Sequence, residues 1–191
     1  MRVVAGQLKG RRLVAPPGDI TRPTTDKVRE AMFNALGSLD VVLDAHVLDL
    51  FAGTGALGIE ALSRGAEHVT FVENRRQALW ALRANVEALD LAGRCRIEEA
   101  DATRPALLAR LGQRSRGPRN GISDRSGLLV FADPPYDFEH WDDVFEALVS
   151  LHAPPFLVAE SGRQLDPSPP WTVIRCRRYG RTWVAFCTVA F

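Results

Sequence analysis

The chain has 191 residues and a mass of 21.1 kDa; 46% of its residues are hydrophobic and 25% are charged. This length fits a single domain, and the composition excludes a disordered, collagen-like or coiled-coil chain. No apolar run approaches the ~18–20 residues that a membrane-spanning helix needs, and the N-terminus lacks the apolar stretch of a signal peptide. We therefore expect a soluble, cytoplasmic protein without membrane contact.

Charge is unevenly distributed along the chain although the net charge is only +1. Residues 1–30 and residues 163–191 each carry +4, which leaves −7 on the residues between them. Basic ends suit a polyanionic partner held at one edge of the molecule, although charge runs also form ordinary solvated surfaces. An odd number of cysteines without CxxC spacing argues against a disulfide framework and a zinc site, so we expect reduced, buried thiols and no metal: Cys95, Cys176 and Cys187.

Short apolar runs alternate with helical patterns in the middle of the chain. The predicted strands are His46–Phe51, His68–Glu73, Arg94–Glu98, Leu128–Ala132 and Phe156–Glu160. The predicted helices are Ala56–Arg64, Arg75–Leu89, Arg104–Leu111 and Trp141–Leu151. Near-continuous apolar strands separated by helices predict an α/β fold with a parallel sheet covered on both faces.

The two ends of the chain follow different patterns. Residues 1–26 contain short apolar runs between glycines and prolines, which predict a small hairpin extension before a helix at Asp26–Leu36; the domain proper then covers residues 27–191. The apolar runs Thr172–Arg175 and Thr182–Val189 have no helix between them, so we expect an antiparallel hairpin at the sheet edge. The polar, Gly-rich and Arg-rich residues 112–127 predict a mobile loop.

Three consecutive predicted strands end in residues suited to a nucleoside. Gly53, Gly55 and Gly58 form a GxGxxG turn after the first strand, a pattern that also fits a dinucleotide site or a plain strand-to-helix connection. Glu73 ends the second strand, where a carboxylate can accept hydrogen bonds from ribose hydroxyls, and Asp101 follows the third. Both carboxylates could instead cap the helices after them. Together these strand ends outline a nucleoside pocket at one edge of the sheet.

The fourth strand ends in the sequence ADPPY, which separates the candidate chemistries. The two prolines Pro134 and Pro135 stiffen the turn and leave carbonyls free to accept hydrogen bonds. Asp133 and a proline carbonyl can then hold an exocyclic amine, and Tyr136 offers a ring for stacking on a planar base. Methylation of such an amine needs this orientation and stabilisation of the positive charge that develops on nitrogen. A hydride-transferring oxidoreductase does not.

With these residues the chain resembles the class I, Rossmann-like S-adenosylmethionine-dependent methyltransferases. It is most similar to the bacterial 16S ribosomal RNA guanine-N2 methyltransferases. The resemblance covers nearly the whole chain and rests on MRVVAGQLKGRRL from Met1, RPTTDKVREAMFNAL from Arg22, VLDLFAGTGALGIEALSRGA from Val47, ADPPY from Ala132 and RRYGRTWV from Arg177. It implies a mostly parallel seven-stranded sheet with an antiparallel C-terminal hairpin.

The resemblance also implies roles for individual residues. The methionine side of S-adenosylmethionine would be lined by Asp49, Phe51, Ala52, Gly53, Thr54 and Gly55. Glu73 and Asn74 would hold the ribose, Asp101 and Ala102 the adenine, and a segment containing Arg22, Thr24 and Thr25 would close over the pocket. The target guanine would lie against Asp133, Pro134, Pro135 and Tyr136, with Asp133 as hydrogen-bond and proton acceptor. RNA would contact Lys9, Arg11, Arg12, Arg178 and Tyr179.

The expected partner is therefore 16S ribosomal RNA or the assembling small ribosomal subunit, bound by a monomer. Other amino-methyltransferases, acting on DNA adenine, on DNA cytosine N4 or on a protein glutamine, also suit an acidic or amide residue before PPY. A non-catalytic RNA-binding assembly factor and a dinucleotide oxidoreductase are the remaining alternatives.

Overall fold

A computed structural model describes residues 1–16, 26–104, 106–107, 110–111, 128–151 and 154–189. The predicted cofactor residues Arg22, Thr24 and Thr25 and the predicted loop at 112–127 lie outside these residues, as does part of the predicted helix Arg104–Leu111. Within that helix, residues 106–107 and 110–111 are helical. Among the described residues, no helix is long and apolar enough to cross a bilayer.

The described elements follow the predicted order. The helices are α1 (Asp26–Ser38), α2 (Ala56–Ser63), α3 (Arg76–Ala88) and α4 (Trp141–Val149), with a 3₁₀ turn at Ala92–Arg94. The strands are β1 (His46–Leu50), β2 (His68–Glu73), β3 (Cys95–Glu99), β4 (Leu128–Ala132), β5 (Pro155–Ser161), β6 (Trp171–Tyr179) and β7 (Thr182–Val189). Strand β6 extends beyond the predicted Thr172–Arg175, because its polar residues as far as Tyr179 pair with β7 across a bulge at Val173/Arg175.

Seven strands form one sheet in the order β3-β2-β1-β4-β5-β7-β6. Strands β1 to β5 are parallel, whereas β7 runs antiparallel to both β5 and β6. The predicted Rossmann-like class, with a mostly parallel sheet and an antiparallel C-terminal hairpin, is confirmed. The strand order reverses between β1 and β4, and in open α/β sheets ligands bind outside the carboxyl ends of the strands at such a reversal.

Successive side chains along each strand point to opposite faces of the sheet and form two separate hydrophobic cores, one on each face. Val47 and Leu129 pack with helices α1, α2 and α3 on one face, whereas Leu48 and Val130 pack with α4 on the other. The cysteine prediction holds only in part: all three are free, but only Cys187 is buried, because Cys95 and Cys176 lie on the edge strands β3 and β6. Burial raises the pKa of the Cys187 thiol to about 12.

The described part of the N-terminal extension, residues 1–16, is closed by an antiparallel bridge between Arg2 and Arg12. Buried side chains of α2 bind its backbone. The Glu60 carboxylate accepts hydrogen bonds from the Val4 and Ala5 N–H groups at 2.7 and 3.0 Å. On α3, the Asn85 side chain bonds both backbone groups of Val14 and also donates to the Thr54 carbonyl at 2.9 Å. These contacts seat the extension directly beside the glycine turn that follows β1.

A buried ion pair underlies this docking. Glu60 and Arg29 are both fully buried, with Arg29 Nε 3.6 Å from Glu60 Oε2, and Arg29 also pairs with Asp26 at 2.9 Å. Arg64 adds a second cation, with its Nε 2.8 Å from Glu60 Oε1. A charge inside the protein is tolerated only where partners of this kind replace its water.

We expect Glu60→Ala to lower the free energy of unfolding by about 3–5 kcal/mol, because it removes one of the two carboxylates that pair with buried Arg29 and the acceptor of the Val4 and Ala5 N–H groups. Urea unfolding measures the change. The exposed pair Arg83–Glu99 supplies the control, Glu99→Ala, for which the cost should stay below ~1 kcal/mol. A loss at Glu60 as small as that at Glu99 would contradict the account of the docking.

Candidate active site at the carboxyl ends of β1 and β4

The register of the sheet places two predicted loops side by side. Leu50 at the end of β1 pairs with Ala132 at the end of β4. The glycine turn beginning at Phe51 and the turn beginning at Asp133 therefore leave adjacent strands at the same level. The fold thus places the glycine turn and the DPPY turn next to each other, where the strand order reverses.

The glycine turn adopts backbone angles that favour glycine. Gly53 and Gly55 have φ values of 58° and 81°, and Phe51 has φ 60°, an unusual value for a bulky residue. A Cβ at Gly55 would lie 2.5 Å from Leu82 Cδ1, and a Cβ at Gly58 would lie 2.3 Å from Phe71 Cε1. The second and third glycines thus allow α2 to pack closely on its neighbours, whereas a Cβ at Gly53 would meet nothing closer than 3.9 Å.

Asp49 lies at the base of this turn and is buried, with 1% of its surface exposed. Its Oδ2 accepts a hydrogen bond from the Gly58 N–H at 2.9 Å. Burial raises the pKa of the Asp49 carboxyl well above its usual value, the Gly58 bond opposes this, and the negative charges of Asp133 and Glu73 raise it further. Three carboxylates therefore share one small region, which favours a positively charged ligand.

Glu73 at the end of β2 connects the glycine turn to the next helix. Its Oε2 accepts from the Gly53 N–H at 2.8 Å, and its Oε1 accepts from the Asn74 and Arg75 N–H groups at 2.9 and 2.8 Å. The Asn74 and Arg75 donors both precede Arg76, the first residue of α3, so Glu73 does not cap this helix as the alternative interpretation supposed. A carboxylate has about four acceptor positions, so Glu73 retains acceptor capacity for a hydroxyl donor.

Asp101 lies at the same edge of the sheet, beyond β3. Its Oδ1 accepts from both the N–H and the hydroxyl of Thr103, at 3.0 and 2.7 Å. These bonds lower the pKa of the Asp101 carboxyl, so it is ionised at neutral pH. Ala102 beside it is buried, and Asn74 is exposed.

The turn after β4 presents both buried and open surface. Asp133 is half-buried, Pro134 is buried, and Tyr136 is 63% exposed. The Pro135 carbonyl accepts the Phe138 N–H at 2.9 Å, so the expectation that both proline carbonyls are free is wrong; the turn itself uses one of them. A cavity of about 210 Å³ lies here, between residues 134–141 and the turn at 161–163.

Phe138, which the sequence reasoning missed, joins the two loops. Its ring lies 5.2 Å from the Phe51 ring and 5.4 Å from the Trp141 ring, both edge-on. Such pairs stabilise by about 0.5–1.5 kcal/mol beyond the area they bury. The aromatic side chain two residues after Tyr136 was visible in the sequence, but its partner at Phe51 depends on the strand order.

The predicted RNA-contacting residues lie on two separate segments. Lys9, Arg11 and Arg12 are exposed on the N-terminal extension, where Arg11 Nη2 also donates to the Ala88 carbonyl at 2.9 Å. Arg178 is exposed on β6, but Tyr179 is half-buried and packs against the core, which limits the stacking expected of it.

One further cavity within the described part of the chain is lined by none of the predicted site residues. This cavity, of about 380 Å³, lies at the amino ends of β4 and β5, among Leu39, Leu128 and Phe156. Among the residues that the structure describes, no group of three or more His, Cys, Asp or Glu side chains is placed to hold a metal ion.

The raised pKa of Asp49 gives a pH-dependent stability. The folded protein holds this proton more tightly than the unfolded chain, so the contribution is complete below the ordinary value of 3.8 and is lost as pH rises through the folded-state pKa. Asp49→Asn removes the charge and keeps an acceptor for Gly58. We expect its free energy of unfolding, relative to the natural protein, to increase as the pH rises from 3.8 through the folded-state pKa of Asp49. Urea unfolding across this range tests it. The exposed control Asp142→Asn should show no such trend, and a flat difference at Asp49 would refute the assignment.

The chain matches the protein family described as Conserved hypothetical protein 95 over residues 1–188. Ribosomal RNA small subunit methyltransferase D of Escherichia coli K12 is 41% identical over 136 residues, which are 71% of this chain and 60% of that protein. The Haemophilus influenzae protein of the same name is 30% identical over 185 residues, 94% of this chain and 89% of that one. The solved structure of Escherichia coli yhhF superposes with a TM-score of 0.77 at 31% identity, covering 99% of this chain and 97% of that chain. The chain therefore belongs to the Conserved hypothetical protein 95 family, together with the ribosomal RNA small subunit methyltransferases D.

Proposed function

We propose that this protein transfers a methyl group from S-adenosylmethionine to the exocyclic N2 amine of a guanine in 16S ribosomal RNA. S-adenosylmethionine-dependent methylation of ribosomal RNA follows from the relatives. An exocyclic amine as the methyl acceptor is supported by one observation: Asp133 and the DPPY turn leave β4 beside the glycine turn of β1, at the reversal of strand order. The guanine N2 amine in particular is what the resemblance to the guanine-N2 methyltransferases implies.

The residues around β1 and β2 fit the cofactor. Gly53 leaves open space above the turn, and Glu73 has about one acceptor position left for a ribose hydroxyl. Asp101 lies where adenine is expected, beyond β3. When bound, the cofactor supplies an electrophilic methyl group on a sulfonium, and the carboxylates Asp49, Glu73 and Asp133 favour that positive charge.

The DPPY turn provides the base side of the reaction. An exocyclic amine is a poor nucleophile because its lone pair is delocalised into the ring, so it has to be oriented before attack. In this proposal Asp133 accepts one amine N–H, the Pro134 carbonyl accepts the other, and Tyr136 stacks on the base. As positive charge develops on nitrogen, the Asp133 carboxylate stabilises it and receives the proton that is released.

The larger partner is 16S RNA or an assembling small subunit in the cytoplasm, bound by a monomer. Residues 1–26 act as an RNA-facing extension of the domain 27–191, since Lys9 and Arg12 are exposed on an extension docked beside the glycine turn. Arg178 supplies a second contact on β6. Cations at these positions bind phosphates without reading sequence, while the pocket reads the base.

Transfer of labelled methyl groups tests the function. Small-subunit particles and naked 16S RNA from a strain lacking this gene are incubated with labelled S-adenosylmethionine and the full chain, and the nucleosides are then separated. We expect label in N2-methylguanosine. Label in another nucleoside, in DNA or in protein would assign the site to a different amino-methyltransferase.

Asp133→Asn should lower the rate of methyl transfer by about 10²-fold or more while leaving S-adenosylmethionine affinity nearly unchanged, because the neutral amide oxygen stabilises the developing charge less than a carboxylate and does not take the proton. Single-turnover transfer and isothermal titration calorimetry measure the two effects. Asp142→Asn, an exposed aspartate on α4, is the matched control with natural activity. Loss of cofactor binding in Asp133→Asn would remove Asp133 from the base side.

Glu73→Ala should chiefly affect cofactor affinity and not the rate of methyl transfer. We expect it to weaken S-adenosylmethionine binding by roughly 10- to 100-fold, the usual effect of losing hydrogen bonds to a charged acceptor. The same calorimetry gives the dissociation constant, and saturating cofactor should restore much of the transfer rate. Glu99→Ala, with a side chain 62% exposed, serves as control. Unchanged affinity in Glu73→Ala would show that the ribose lies elsewhere.

A further inference from the structure

The ring of Tyr136 is unusually well fixed for a side chain that is 63% exposed. Its hydroxyl donates a hydrogen bond to the Arg181 carbonyl at 2.7 Å, in the turn between β6 and β7. An exposed tyrosine without such a bond samples several rotamers at little cost. The contact joins residues 45 positions apart in the chain and links the DPPY turn to the C-terminal hairpin.

Gly162, which follows β5, lies against the Tyr136 ring. A Cβ on Gly162 would lie 2.9 Å from Tyr136 Cε1 and 3.0 Å from Cζ. Real Cβ atoms essentially never approach so closely, so any side chain at this position displaces the ring. Gly162 does not have a left-handed φ, so its backbone conformation accepts an alanine. What the position requires is space for the Tyr136 ring.

We propose that the β6–β7 turn and Gly162 form the positioning device for the stacking ring, and that together with Tyr136 they set the plane in which the target base is held. This inference rests on the proposed function of Tyr136 as the platform for a guanine. Gly162 and Arg181 are positioning residues that act through Tyr136 and need no contact with the base.

The β6–β7 turn also carries exposed cationic side chains, which can bind the phosphates of RNA. Arg178 and Arg181 are exposed, and Arg178 Nε donates to the Gly180 carbonyl at 2.9 Å, which helps to shape the turn. RNA phosphates bound by Arg178 and Arg181 would contact the β6–β7 turn. The same turn provides the Arg181 carbonyl that fixes the Tyr136 ring. RNA backbone binding and base stacking therefore share one rigid support, which limits the error in placing the amine.

Three variants of the full chain separate the contributions. Tyr136→Phe keeps the ring and removes the hydroxyl, and we expect kcat/KM for RNA to fall about 2- to 10-fold, as for loss of one hydrogen bond. Gly162→Ala displaces the ring and should cost about 10-fold or more, since misplacement by ~1 Å is expensive in rate. Gly93→Ala is the matched control, because a Cβ there meets nothing within 4 Å. Affinity for S-adenosylmethionine should stay within about twofold in all three.

A double-mutant cycle tests whether Gly162 acts through the ring. In a Tyr136→Ala background, adding Gly162→Ala should change kcat/KM by less than about twofold. An equal loss in both backgrounds would overturn the inference, as would natural kcat/KM in both Tyr136→Phe and Gly162→Ala, or lost cofactor affinity in Gly162→Ala. If Gly162→Ala fails to fold, Tyr136→Phe alone decides between the outcomes. Failure of the natural protein to produce N2-methylguanosine would instead refute the proposed function.

Discussion

The arrangement of the site depends on two carboxylates that bind backbone N–H groups of the glycine turn. Asp49 at the end of β1 holds Gly58 in the first turn of α2, and Glu73 at the end of β2 holds Gly53. The turn is thus fixed to two adjacent strands, with its left-handed residues in place before any ligand binds. Burial raises the pKa of Asp49, and the nearby charges of Asp133 and Glu73 raise it further; this concentration of negative charge makes the region suited to a cation.

Other elements extend this fixed turn into a complete site. The Phe51–Phe138 contact links it to the DPPY turn, and the Tyr136–Arg181 hydrogen bond links the DPPY turn to the C-terminal hairpin. On the opposite side, Asn85 connects the Thr54 carbonyl to Val14 of the N-terminal extension. The basic segments at the two ends of the chain are therefore each joined by a short series of contacts to the glycine turn or the DPPY turn.

The sequence predicted the parts of the site that depend on local pattern. The alternation of apolar strands and helices located β1 to β5, and Glu73, Asp101 and Asp133 followed because the carboxyl ends of parallel strands lie on the same side of the sheet. Asp49 was assigned through the family resemblance. The strand order, the reversal between β1 and β4 and the partner of Phe138 are tertiary features that no local pattern encodes. Likewise, Glu60 and Asn85 bond backbone groups 56 and 71 residues away.

Gly162 is a single residue whose role could not be predicted from the local sequence pattern. A glycine after a strand predicts only a turn, and its actual role, to leave room for a ring 26 positions earlier in the chain, follows from the register of β5, β7 and the hairpin. The error concerning the Pro135 carbonyl has a related cause, because the hydrogen bond to Phe138 closes a turn whose shape the two prolines alone do not determine.

A crystal structure with S-adenosylhomocysteine tests the central claim most directly, namely that cofactor and base meet between the carboxyl ends of β1 and β4. The account predicts the ribose hydroxyls on Glu73, the adenine beside Asp101, and the homocysteine sulfur directed toward Asp133 and the open face of Tyr136. Binding at the amino ends of β4 and β5, near Leu128 and Phe156, or a ribose without contact to Glu73, would contradict it.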